Sequence, residues 1–192
     1  MGFRICYLAS KASPEKLTAA LNVTMDAPVT DMPDGDWWIA KLKDSDWTIL
    51  WSEDEEFGQH SIDQVAELSK EHDTYICEVN ETVMWSSAAF WKSGQQVWKV
   101  THAGDGKDIY DLTETGTCPD GLADLKQKTI AQQQKDGGGV DHIFEIPLDL
   151  AALDFEYRHE HFLNDRRVDT FHTIVPPQKI KKKGLLSRLF GG

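Results

Sequence analysis

A chain of 192 residues, 40% hydrophobic and with seven tryptophans, carries enough apolar mass for a proper core, which excludes a disordered polymer. Twenty basic against thirty-two acidic side chains give a net charge of −12; the last fourteen residues contribute +5 of this, which leaves −17 on the body before them. So acidic a body repels polyanions, and no nucleic-acid-binding face is expected on it.

Cys6, Cys77 and Cys118 are an odd number of cysteines with no CxxC spacing, which favours a reducing cytosol over a disulfide-stapled domain. Arg4 interrupts the short apolar start, so a signal peptide is not expected, and Cys6 stands where a myristoylation motif wants Ser or Thr. No stretch approaches the roughly 20 apolar residues of a membrane span. The expectation is a soluble, cytoplasmic protein.

In chain order, "FRICYLAS" predicts a first strand and "SPEKLTAALN" a short helix, with Ser13 as cap and Pro14 at its first position. "APVTDMPDGD" is turn-rich. "WWIAKLK" and "WTILWSE" flank Asp44-Ser45-Asp46 and predict a hairpin. Alternation puts Trp38, Ala40 and Leu42 on one face of its first strand, and Trp47, Ile49 and Trp51 on one face of its second.

"HSIDQVAELSKEHD" predicts a helix with a Ser61/Gln64 capping box and an inward stripe of Ile62, Val65, Ala66 and Ser69. Three strands follow, "TYICEVNE", "TVMWSSAAFWK" and "QQVWKVTHA", the last two joined at Lys92-Ser93-Gly94. Asp120 is expected to cap a helix that the glycines at 137–139 end. "HIFEI" reads as a short extended piece, "PLDLAALDFEYRHEHF" as one or two helical turns running into a polar arm. Interposed helices and meandering strands imply one α+β domain over 1–177, a mainly antiparallel sheet with helices on one face. Residues 178–192 form a separate basic, amphipathic tail.

Most of the tryptophans lie at strand spacing and are expected in the core. Trp37, with Trp85 or Trp91, falls where a strand can show an indole to solvent as an interface anchor. Candidates for chemistry are sparse. His102 with Asp105 near a Gly-rich turn could form a general-base pair, but no nucleophile is marked beside it. His159 and His161, with His172 further on, could reach one metal ion from an extended strand but diverge on a helix, and Arg158, Arg166 and Arg167 would repel a dication. An ion-paired, solvated arm is the simpler expectation there. No cofactor is expected.

"EVNETVMWSSAAFWKSGQQVWKVTH", "IFEIPLDLAALDFEYRHEH" and "GFRICYLASKASPEKLTAALN" resemble a family of bacterial cytosolic proteins of about this length. The shared pattern is the aromatic hairpin ending in Val97, Trp98, Val100 and His102, the Ile-Pro-Leu turn, and the pair Arg158-His159. That resemblance implies a single bacterial cytosolic domain and carries no activity or catalytic residue.

These features converge on a non-enzymatic protein that binds a basic protein partner, in the manner of a toxin-neutralising immunity protein or similar inhibitor. Asp44, Asp46, Glu53, Asp54, Glu55 and Glu56 would supply the attracting field, with Trp37 as an anchor. Two alternatives stand beside it. One is a small hydrolase or metal-dependent enzyme using His102/Asp105 or His159/His161. The other is weak attachment to a membrane surface through Lys181, Lys182, Lys183, Leu185, Leu186, Leu189 and Phe190. Nothing in the sequence fixes the oligomeric state.

Overall fold

The computed structural model describes residues 2–33, 37–104, 108–137, 139–164 and 167–176. The basic tail lies outside these residues. Nine antiparallel strands form one sheet: β1 (Arg4–Ser10), β2 (Thr24–Val29), β3 (Trp38–Leu42), β4 (Thr48–Ser52), β5 (Thr74–Asn80), β6 (Trp85–Lys92), β7 (Gln95–Ala103), β8 (Thr113–Gly116) and β9 (Val168–Val175). Their spatial order is β2-β9-β3-β4-β1-β5-β6-β7-β8. The fold is α+β, and its β5–β7 meander is as the sequence predicts.

Helices cover both faces of this sheet, where one face was expected. Along β1, Ile5, Tyr7 and Ala9 belong to one apolar cluster, and Cys6 and Leu8 to another. Successive side chains point to opposite faces, so two apolar sets mean two covered faces. The first cluster is roofed by α4 (Gly121–Asp136), a 3-10 turn (Ile143–Glu145) and α5 (Ile146–Phe155); the second by α1 (Pro14–Ala20), α2 (Phe57–His60) and α3 (Ile62–Leu68).

Local chemistry explains several boundaries. The Ser13 side chain accepts from Lys16 N at 3.4 Å, with Pro14 in the first turn of α1. Asp44 at φ 53° turns the β3–β4 hairpin, while Ser93 and Gly94, at φ 53° and 81°, form the two-residue turn between β6 and β7. Gly137 at φ 68° ends α4 in the left-handed conformation that a side chain resists. The predicted capping box at Ser61 does not form. The chain reaches Ser61 directly from α2, and its side chain makes no cap hydrogen bond. Val65 and Ser69 point inward as expected, but Ile62 is exposed.

Three strands depart from the sequence expectation. β2 begins before the stretch read as turns, overlaps it at residues 27–29 and carries Pro28, which a sheet accepts at an edge; the β2–β9 register shifts between Met25 and Pro28. β8 is an edge strand with four exposed residues and so no apolar alternation. β9 occupies the segment read as a polar arm, between β2 and β3. "HIFEI" is helical rather than extended. No helix among the described residues is long and apolar enough to cross a membrane.

Candidate functional site

The hairpin tryptophans fill the core. Trp38 and Trp51 sit opposite each other in register and stack with centroids 5.8 Å apart and planes 11° from parallel. Trp47 and Trp98 join the same cluster, and Trp91 is buried on the opposite face. Trp85 is half-buried at the start of β6. Trp37 is no free anchor: it packs edge-on against Phe57 at 4.7 Å and belongs to the face roofed by α1–α3.

Trp38 and Trp51 also form the floor of a cleft of about 670 Å³ at one end of the sheet. This volume is within the usual range of ligand sites. The start of β1 supplies Phe3 and Arg4, the end of β4 leads into Glu53, and residues 32–33 and 159–162 close the sides. Phe3 and Phe162 are 40% and 69% exposed, the latter the most exposed large hydrophobic among the described residues. Two such rings on one cleft form an apolar rim of the kind partners use.

The 159–162 wall is held by ionic contacts from below. Arg158, with a side chain only 11% exposed, gives one terminal nitrogen to Asp149 and the other to Glu145; the latter also lies 3.0 Å from Glu160. Burial opposes this charge, but the surrounding carboxylates outweigh it and raise the proton affinity of the guanidinium. Glu81 is a second clamp. It accepts from Phe3 N at 2.8 Å, and its other oxygen lies 3.2 Å from His159 Nε2. The His159 ring also meets Phe3 edge-on at 5.2 Å. Its Nδ1 lies 3.0 Å from a Glu160 oxygen, so each ring nitrogen faces a carboxylate. Leu163 N to Met32 Sδ, 3.4 Å, ties the two side loops together.

The predicted acids divide into two groups. Asp44 and Asp46 lie exposed in the turn before β4, and Glu53 follows its other end. Five residues of strand, about 17 Å at 3.4 Å per residue, separate them. Of the second group, Glu55 is committed to Arg4 and to Asn80 Nδ2 at 2.6 Å, and Asp54 Oδ1 accepts from Glu56 N at 3.2 Å. Glu53 is exposed, lines the cleft, and has no ion pair or hydrogen bond among the described residues. Asp54, Glu56 and His60 place ligand atoms within 4.8 Å of one another. The i,i+4 pairing of Glu56 with His60 at 3.9 Å accounts for part of that closeness.

His102 is wholly buried. Its Nδ1 lies 2.6 Å from the Asp111 carbonyl and its Nε2 2.9 Å from Asp141 Oδ2, so both ring nitrogens are engaged. Asp141 in turn accepts from Ile143 N and Phe144 N, fixing the 3-10 turn. This imidazole pins loops together and leaves no nitrogen for a substrate; Asp105 lies outside the described residues. The proposed metal trio is also dispersed. His159 is buried, His161 is exposed, and His172 faces Ile39 across the β3–β9 pair, on the opposite side of the sheet. Nor are Arg158 and His159 a solvated arm; both are buried.

The sequence did not single out Phe3, Trp51, Glu81 or Phe162 as site residues. One signal was available: Trp51 and Glu53 are two apart, so a strand places both on one face where the apolar surface meets solvent. Comparison with protein-family models, curated proteins and solved structures returns no match.

Proposed function

We infer that the chain is a non-enzymatic, cytoplasmic binding protein whose cleft receives a cationic group from a basic protein partner. A toxin-like domain neutralised by occlusion is the kind of partner that suits it. The observation that carries this reading is the carboxylate of Glu53, unpaired among the described residues, on the same cleft as the exposed rings of Phe3 and Phe162. The −17 body steers a cation to the mouth, and the apolar rim excludes water from the contact. The three cysteines are free, in keeping with a reducing compartment.

The test is retention of a basic protein by the immobilised chain from lysate of its native host. Retention should fall as salt rises. Glu53→Lys should lower the affinity about tenfold or more, by replacing an attraction with a repulsion. Retention that survives both high salt and Glu53→Lys would dismiss the reading.

A further inference from the structure

We propose that the group received by this cleft is an arginine side chain, its guanidinium held by the carboxylates of Glu53 and Glu160. The inference rests on the cleft being the site for a basic partner, and narrows that reading from any cation to one chemical group. The polar atoms the cleft offers are mostly acceptors. Glu53 is unpaired among the described residues, and Glu160, 46% exposed, has oxygens that Arg158 and His159 only partly engage. The one strong donor at the mouth, Arg4, is already paired with Glu55.

A ligand must therefore bring several donors at once. Guanidinium carries five N–H donors in a planar fork, whereas an ammonium has three around one point and is more strongly hydrated. Arginine is also the cation better suited to the setting. Its flat, weakly hydrated head stacks on exposed rings such as those of Phe3 and Phe162.

The probes are N-acetyl-arginine amide and N-acetyl-lysine amide, titrated into the full chain and followed by the indole N–H resonances of Trp38 and Trp51. The arginine probe should shift both saturably, binding about threefold or more tightly than the lysine probe. Glu53→Gln should weaken it about fivefold or more, while Asp46→Asn, at the far end of the hairpin, should leave it unchanged. A lysine probe that binds as well as arginine would overturn the inference and leave the basic-partner reading standing. Indole resonances unmoved by either probe would overturn it too; the broader reading then stands or falls on whether Glu53→Lys abolishes retention of the partner.

Discussion

Arg158→Met is expected to destabilise the chain by about 3 kcal/mol, the low end of the cost of breaking a buried ion pair. The low end applies because Glu145 and Asp149 are each more than a third exposed and recover some hydration when the guanidinium is lost. Glu145 and Asp149 stand at the start of α5, and Arg158 follows its end, so one side chain ties that helix to the cleft wall. Arg158→Lys should recover part of the loss, since one ammonium cannot reach several carboxylates as a fork does. Glu145→Gln and Asp149→Asn added to Arg158→Met should recover part as well, by removing the stranded charges. Urea unfolding at pH 7 measures all three. A change below about 0.5 kcal/mol for Arg158→Met, the size of an ordinary surface substitution, would show that the network carries no stability.

Alkali should unfold the protein well before the pH at which ordinary exposed domains suffer. Burial pushes the Cys77 thiol up from 9.0 to about 12, partly offset by the Tyr7 hydroxyl and reinforced by Glu78. Burial pushes the Cys6 thiol and the Tyr7 hydroxyl in the same direction, and raises Tyr75 and Tyr157 as well. Each of these groups binds its proton more tightly folded than unfolded. Its stabilising contribution is therefore complete below the unfolded pKa and is lost as pH rises toward the folded one. For Cys77 the window opens near pH 9 and closes near 12. At 1.36 kcal/mol per unit, Cys77 alone removes about 3 kcal/mol by pH 11. Urea midpoints from pH 7 to 11 should be flat at first and then fall, and Cys77→Ala should fall less steeply. A profile flat to pH 11 would contradict this.

Much of the architecture is legible wherever one period runs unbroken. Trp38, Ala40 and Leu42 against Trp47, Ile49 and Trp51 announce the hairpin, and Gly137 ends α4, whereas Asp120 before it makes no side-chain cap hydrogen bond. β9 is hidden by a bulge. Val168 and Phe171 face the same cluster although three residues apart, because the register with β3 shifts between Ala40 and Leu42. The second helical layer is hidden because β1 is buried on both faces, so its alternation carries no sign of which side is wet. The cleft is hidden by distance along the chain. Glu81 joins Phe3 to His159 across 78 residues in each direction, and no local pattern reports such a contact. From the acidic run Glu53, one residue past the end of β4, is the acid that lines the cleft.

The central claim is that this cleft is where the partner docks. Amide hydrogen exchange on the full chain, with and without the retained basic protein, tests it most directly. The account predicts slowed exchange at residues 2–5, 51–53 and 159–162 together, three stretches that share only this cleft. Protection confined to the Asp44–Asp46 turn, or to β8 and the start of α4, would place the partner elsewhere and contradict it.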